Sequence, residues 1–444
     1  MVPQALRGTT DLLSDEITRW LALEQAVRRL CVVYGYQELR TPLIEDASLF
    51  LRSIGQTTDI VQKEMFRVHD RGDQEMVLRP EGTVPMVRAY LEHNLHKTDG
   101  FVKLFYMGPM FRAERPQAGR FRQFHQYGVE AIGSASPWVD VEVITLCLHI
   151  LRECGLSQST LWLSTMGCRE DQQRSAERLR VQLQPDRMHL CKDCQSRFEK
   201  NVFRVLDCKQ KTCQKIAQEA VRQINQDAGK APPTPFSLCD ECAKHFDEVR
   251  SALRDSGIAF DDTQVFARGL DYYTRTVFEV RHAGLGSQDA VAAGGRYDRL
   301  VEEMGGPPMG AVGFATGIER VLLAAACEQT QGEVNPTRRG VYVAVTEAGF
   351  IREGFRLIQQ LHNRGAQAIM SYDGKSLRAQ LREADQAGCQ FVAILGEREL
   401  KGRTISLREL AARCGSRELG KSERTVPLEA FVDEVSQHVK PPCH

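Results

Sequence analysis

Strand-like apolar runs fill the first third of this chain, stop near residue 168, and resume near residue 264. Between those points cysteine, glutamine and charge rise, to about residue 250, and the apolar spacing turns helical and patchy. A chain patterned this way carries an insertion with its own small core inside a strand-bearing domain. The expected divisions are 1–167 and 256–330 for the divided domain, 168–255 for the insertion, and 338–440 for a last domain. Ala231–Phe236 is a Pro-rich break within the insertion.

Within that frame the elements follow from spacing. Residues 15–33 read as a helix, with Ile17, Trp20, Leu21, Leu23, Val27 and Leu30 at helical intervals. Thr41-Pro42 breaks regularity. Strands are predicted at Met76–Leu78, Phe101–Met107 and Arg122–Ile132. A helix covers Val139–Leu151, with Ser136 as its N-cap ahead of Pro137. Strands return at Gln264–Ala267, Arg275–Arg281 and Ala290–Ala293, and 310–325 passes from strand through glycine turns into helix. After a linker, Gln331–Arg339, strands at Gly340–Val345, Ala368–Met370 and Phe391–Leu395 alternate with helical patterns over 350–363 and 376–387. That alternation predicts a small α/β domain with a partly parallel sheet.

Net charge is zero, so a nucleic-acid partner would have to be met by local patches. Residues 335–444 carry a mild basic excess. No apolar run approaches a membrane span. The opening MVPQALRGTTDLLSDEI reads as neither a signal nor a transit peptide, which leads us to expect a cytoplasmic protein. Six of fourteen cysteines pair locally, as Cys191/Cys194, Cys208/Cys213 and Cys239/Cys242, a pattern suited to metal binding or free thiols rather than disulfides.

Five segments carry chemistry. In RPEGT, Arg79–Thr83, Glu81 ends a strand and offers a carboxylate to an ammonium group; alone, it reads as a solvated turn. Phe105–Glu130 reads as a hairpin whose loop holds Arg112, Arg115, Arg120 and Arg122 against the single acid Glu114. Guanidinium forks match phosphate oxygens, and Phe124 offers a face to a base. Gln126 and Glu130 share strand parity with Phe124. In RGLDYYTRTVFEV, Arg268–Val280, Arg268 can neutralise charge developing on a phosphate, and Asp271 can pair with an arginine or close a turn. Tyr272 and Tyr273 alternate faces, so one is expected in the pocket and the other in packing. AAGGRYDRL sets Tyr297 after paired glycines, and GFATGIER puts Arg320 in the first turn of a helix, where phosphates gather.

In this order the segments resemble the histidyl-tRNA synthetases, over nearly the whole chain. GPMFRAERPQAGRFRQFHQ and GAVGFATGIER look like the second and third class II signatures, and RGLDYYT and AGGRY like the two histidine-specific motifs. YGYQELRTPLIED, Tyr34–Asp46, resembles the first signature, which implies a homodimer. The resemblance implies an α+β catalytic domain on an antiparallel sheet, a helical insertion reaching over the tRNA acceptor arm, and a C-terminal α/β anticodon-binding domain. It implies ATP and Mg2+, L-histidine and histidine tRNA as reactants.

By position it puts Arg112 at the α-phosphate and the substrate carboxylate. Glu114 would read adenine, Phe124 would stack on it, and Arg120 and Arg320 would hold the outer phosphates. Arg268 would be the second catalytic cation. Glu81, Thr83 and Gln126 would hold the histidine amino group, and Glu130 and Tyr273 would bracket the imidazole. Tyr297 would close the pocket, with Tyr272 beside it. A synthetase-like regulatory subunit of histidine biosynthesis is the competing reading. It is disfavoured by the retained Arg112, Arg268 and Arg320 and by the last domain. A zinc-dependent RNA-binding module would explain the cysteines but leave the phosphate-binding segments idle.

For the cysteines, four thiolates from two pairs close a structural zinc site. The expected set is Cys191, Cys194, Cys239 and Cys242. Cys208 and Cys213 would replace either pair or stay free, and unligated thiols remain the plain alternative. In the last domain Lys375, Arg378, Lys401 and Arg403 are candidate RNA contacts, each of which reads equally as solvated surface.

Overall fold

Ten strands alternate with helices over residues 14–328 of the computed structural model. It describes residues 2–438 apart from 56, 57, 59, 70, 73, 99, 115, 117, 118, 209, 229–236, 265, 267–270, 287, 288, 329–337 and 411–422. The strands are β1 (Gln37–Glu38), β2 (Ile44–Asp46), β3 (Phe66–His69), β4 (Glu75–Leu78), β5 (Val102–Phe111), β6 (Gln123–Ile132), β7 (Ser159–Thr165), β8 (Thr274–His282), β9 (Ala290–Arg296) and β10 (Ala311–Gly317). Seven form one sheet in the order β1-β5-β6-β10-β9-β8-β7, and β2-β4-β3 form a small one. Every pairing in the large sheet is antiparallel except β1 with β5.

Parity decides what each face does. Tyr127, Val129 and Ala131 of β6 point to the face covered by the helices Ser14–Val33, Pro137–Glu153, Asp240–Asp255 and Ile318–Glu328, in one core with Phe278 and Phe314. Tyr127, Val129 and Phe278 are fully buried. Each such side chain contributes roughly 1.5–3 kcal/mol. Gln126 and Glu130 therefore face the other side. The helix Pro137–Glu153 begins as expected: the Ser136 side chain accepts from the Trp138 N–H and Pro137 fills the first turn. A buried ion network locks that helix to the sheet. Asp140 lies 2.7 Å from Arg296 Nε and 2.8 Å from His245 Nε2, and Arg296 also donates to the Ser134 and Ser136 carbonyls.

Two expectations change. Gln264 and Phe266 lie outside any strand, and Asp261 instead makes an isolated bridge to Trp162; Val265 and Ala267 lie outside the described residues. Among the described residues the insertion also has no separate core. Leu179, Phe198, Val205 and Val221 pack continuously with Phe50, Ile54 and Tyr272 of the catalytic part. Its last helix, Asp240–Asp255, buries Phe246, Val249 and Leu253 in the main core. The Pro-rich Ala231–Phe236 lies outside the described residues.

Residues 1–330 and 331–444 form two compact units. The second has β11 (Val341–Val345), β12 (Ala368–Ile369), β13 (Phe391–Leu395), β14 (Thr404–Glu409) and β15 (Glu423–Pro427), ordered β12-β11-β13-β14-β15. β12 and β13 flank β11 in parallel and the rest is antiparallel. Helices Ile351–Asn363 and Leu428–His438 cover one face, and Leu377–Gln386 the other.

Candidate functional site

On the face of the large sheet that carries Gln126, Gly313 and Ala315, a cavity of about 640 Å³ opens, and a second lobe of about 440 Å³ shares Arg112, Glu114, Arg120 and Gln126 with it. The first lobe is built from buried oxygens. Glu130, fully buried on β6, accepts from Thr83 Oγ1 at 2.7 Å and from the Tyr297 hydroxyl. Glu81 accepts from the Thr83 and Val84 N–H groups, both at 2.8 Å, and so caps the helix Thr83–Glu92. That leaves further lone pairs on each carboxylate. Tyr272 and Tyr273 both line the lobe, 4.9 Å apart by ring centroid, and Tyr272 meets Tyr297 edge to face at 5.8 Å. The expected division, one tyrosine in the pocket and one in packing, does not hold. A sharp turn ahead of β8 carries both rings inward, where strict alternation would have parted them.

Burial sets the electrostatics. It pushes the Glu130 carboxyl up from its ordinary 4.5 to about 8, helped by nearby Glu81 and opposed by hydrogen bonds from Tyr297 and Thr83. Glu81 is also raised by burial, with its two backbone N–H donors and Arg112 pulling the other way. The Tyr272, Tyr297 and Tyr106 phenols are held protonated by the same desolvation. Close approach needs glycine: a Cβ on Gly313 would fall 2.0 Å from Glu130 Oε2, and one on Gly82 2.2 Å from the Tyr106 ring. The side-chain oxygen of Gln126 is buried with no partner among the described residues.

The second lobe is lined by five arginines and five acidic residues, with Arg112, Arg120 and Arg320 among the arginines. Arg112, at the mouth of the β5–β6 hairpin, donates to the Pro80 carbonyl at 2.9 Å and lies 5.2 Å over the Phe124 ring. Glu114 holds Arg120 at 2.6 Å. Arg320, in the first turn of Ile318–Glu328, donates to the Ala290 carbonyl at 2.9 Å. Its pKa is lowered by burial and then by the like charge of Arg120. Two guanidinium groups that repel each other across a cleft suit an anion between them. Arg268 and Arg115 lie outside the described residues. Asp271 accepts from Asn201 Nδ2 at 2.8 Å, so its side chain closes onto the insertion.

The far wall of the cavity was not foreseen. It comes from the insertion: Cys191, Asp193, Arg197, Arg204, Asp207 and Cys208 line the same cavity as Glu81 and Tyr272. No spacing signal in the sequence joins these residues to the sheet. The cysteine set is corrected too. Cys191 and Cys194 group with Cys208 and Cys213, whereas Cys239 and Cys242 group with Cys168 and Asp171. Helix starts, not C-x2-C repetition, decide which pairs meet. In the second unit Lys375 pairs with Glu383, Lys401 with Glu397 at 2.6 Å, and Arg403 with Glu429, as solvated surface charges do.

The described helices include none long and apolar enough to cross a membrane. A family model described as histidyl-tRNA synthetase matches residues 8–321, and an anticodon binding domain model matches 340–438. Histidine–tRNA ligase of Desulfitobacterium hafniense is 44% identical over 440 residues, covering 99% of each chain. That of Moorella thermoacetica is 44% identical over 435 residues, 98% of each. The crystal structure of apo S. aureus histidyl-tRNA synthetase is 29% identical, with a TM-score of 0.77 over 98% of this chain and 100% of that one.

Proposed function

The chain belongs to the histidyl-tRNA synthetase family, and from that premise we propose that it activates L-histidine with ATP and passes the histidyl group to histidine tRNA. In the first step a histidine carboxylate oxygen attacks the α-phosphorus. The bond from that phosphorus to the bridging oxygen breaks, and pyrophosphate leaves. In the second, a 3′-terminal ribose hydroxyl of the tRNA attacks the histidyl carbonyl carbon, and AMP leaves. The observation that carries this reading is the joining of two unlike lobes through Arg112: one holding Glu81 and the phenols of Tyr272, Tyr273 and Tyr297, the other holding Phe124 and Arg320.

In our assignment the first lobe takes histidine. Glu81, Thr83 and Gln126 hold its ammonium group, for which the unpartnered Gln126 oxygen is one ready acceptor. Glu130 and Tyr273 bracket the imidazole nitrogens, with Tyr272 and Tyr297 completing the walls. A site that hydrogen-bonds both nitrogens rejects side chains lacking them, because its own buried groups would be left unpaired. The second lobe takes ATP: Phe124 stacks on adenine, Glu114 reads its amino group, and Arg120 and Arg320 hold the outer phosphates. Glu279 and Asp289, which hold Arg281 in the same lobe, would be the carboxylates nearest to a Mg2+ bound with the nucleotide, and such an ion would supply charge neutralisation at the phosphates. Arg112 and Arg268 stabilise charge at the α-phosphate. Orientation and charge neutralisation suffice for this step, with no general base.

We assign 1–167 and 256–330 to catalysis, 168–255 to the acceptor arm and 338–440 to the anticodon. Localisation is proposed as cytoplasmic. A homodimer is proposed through Tyr34–Asp46, where Leu43 and Ile44 are exposed beside the edge strand β1. The regulatory reading finds no support in a site that keeps Arg112, Arg120 and Arg320. The test is exchange of labelled pyrophosphate into ATP. Exchange with histidine alone establishes the chemistry; none from folded, ATP-binding protein defeats it. Arg268→Ala is expected to slow exchange by about 10²–10³-fold with near-normal histidine affinity.

A further inference from the structure

Two four-ligand groups stand out in the insertion, and each is made from helix N-termini. Cys191 is the N-cap of Lys192–Lys200, with Cys194 in its first turn. Cys208 and Cys213 flank the start of Lys211–Ala228. In the other group Cys168 caps Arg169–Leu183 with Asp171 at the third position, and Cys239 caps Asp240–Asp255 with Cys242 in the matching place. Within each group all four ligand atoms lie within 4.8 Å of one another. We propose that the insertion holds two structural zinc ions, one on Cys191, Cys194, Cys208 and Cys213, the other on Cys168, Asp171, Cys239 and Cys242.

Geometry supports the first site. Sulfurs on a tetrahedral zinc at ~2.3 Å sit roughly 3.8 Å apart. Cys191 and Cys208 Sγ atoms are 4.0 Å apart, about twice a disulfide's ~2.05 Å. Backbone N–H groups already point at the sulfurs: Cys191 N lies 3.3 Å from Cys213 Sγ, and Gln210 N lies 3.5 Å from Cys208 Sγ. Such donors and the positive helix ends stabilise thiolates, the form that binds zinc. Three of the four cysteines are buried, in a stretch made of short helical turns. The four thiols belong to or pack against the core that holds Leu190, Phe198, Val202 and Phe203, so an ion there would tie short helical turns together from inside. The ion would also fix the cavity wall, since Cys191 and Cys208 line it.

A different observation carries the second site. It joins the two points where the insertion leaves and re-enters the catalytic part. Asp171, with no exposed side-chain surface, accepts from Cys239 N at 2.9 Å and from Cys168 N at 3.3 Å. Gly167, at φ +69°, is what lets the carboxylate in, because a Cβ there would fall 2.5 Å from Asp171 Cβ. The Cys242 and Cys168 thiols also hydrogen-bond Asp171, so the sulfurs and the carboxylate already share one centre, where a divalent ion would replace the thiol protons. Three thiolates and a carboxylate around a divalent ion leave negative charge, which Arg174 on Asp171 offsets. Three soft thiolates with one carboxylate in tetrahedral reach suit zinc, which takes sulfur and carboxylate oxygen together, over magnesium or calcium, which take oxygen.

The proposal does not rest on the catalytic reading, because its readout is metal. Full-length protein, purified reduced, is analysed for zinc per chain, alongside Cys208→Ser and Cys242→Ser. Two equivalents are expected, falling to one in each variant. Cobalt loaded in place of zinc should show thiolate-to-cobalt charge transfer, at reduced intensity in each variant. If a variant fails to fold, chelation and zinc re-addition to the unaltered chain decide: loss and recovery of two equivalents with a matching fall and rise of Tm is expected. Absence of zinc, or contents unchanged in both variants, overturns the proposal. One equivalent removed only by Cys208→Ser overturns the second site, and one removed only by Cys242→Ser overturns the first.

Discussion

The floor and the far wall of the cavity are built by different means. The floor is sheet: Gln126, Glu130, Gly313 and Ala315 sit on β6 and β10, whose register, Gly313 opposite Glu130, is held by backbone hydrogen bonds. The wall is insertion: Arg204 and Asp207 sit on short turns between cysteines, tied to the catalytic part through side chains such as Asn201. Backbone pairing places atoms rigidly without regard to side chains. A wall held by side chains can be loosened by changing one of them. Reacting groups therefore belong on the floor and adjustable contacts on the wall.

The sharpest break of that contrast comes from Arg112→Ala. Removing a guanidinium from the junction of the lobes should cut adenylate formation about 10²–10³-fold in single-turnover assays. A loss under tenfold would make the junction a mere passage. Next comes Glu130→Gln. Gln puts an NH2 where the carboxyl accepts from Thr83 and Tyr297, leaving a buried polar group mispaired at a cost of ~1–3 kcal/mol; the histidine KM should rise roughly 5–100-fold, and kcat for ATP-saturated enzyme should fall less.

The same variant has a second readout. The folded Glu130 binds its proton up to about pH 8, the unfolded one only to about its ordinary 4.5. Its stabilising contribution is thus fully present below pH 4.5 and lost as pH rises through about 8. Tm of the unaltered protein should fall more steeply between pH 5 and 8 than that of Glu130→Gln; parallel curves would remove the assigned shift.

Smaller still is Asn201→Ala on the wall. It deletes the 2.8 Å bond to Asp271. The expected cost is about 1 kcal/mol, a few-fold in KM with exchange still specific for histidine. A loss equal to that of Arg112→Ala would erase the distinction between wall and floor.

The floor was largely legible because strand parity is local: Phe124, Gln126 and Glu130 sit two or four residues apart and share a face. Ser136 was legible as a cap for the same reason. The two tyrosines were not, since the turn ahead of β8 has no alternation to read. Nor were the cysteine groups. Four cysteines in two C-x2-C pairs look like one site, and only the positions of helix starts separate them. Asp171 carried no signal at all, its role depending on Cys239 arriving from the far end of the insertion. The insertion's shared core was hidden likewise, because Phe198 and Tyr272 come into one cluster only on folding.

The order of the sheet also sets a timetable. β10 is the partner of both β6 and β9, so the middle of the sheet closes only when its last strand is made. At roughly 5–20 residues per second, β6 waits about ten to forty seconds on the ribosome for β10. Through that interval β6 shows one bare edge, apolar on its Tyr127, Val129 and Ala131 face, open to strand pairing with other chains. Nascent chains that stall before Ala311 should therefore be the aggregation-prone species during synthesis, although they already contain Glu81, Arg112, Glu130 and both cysteine groups.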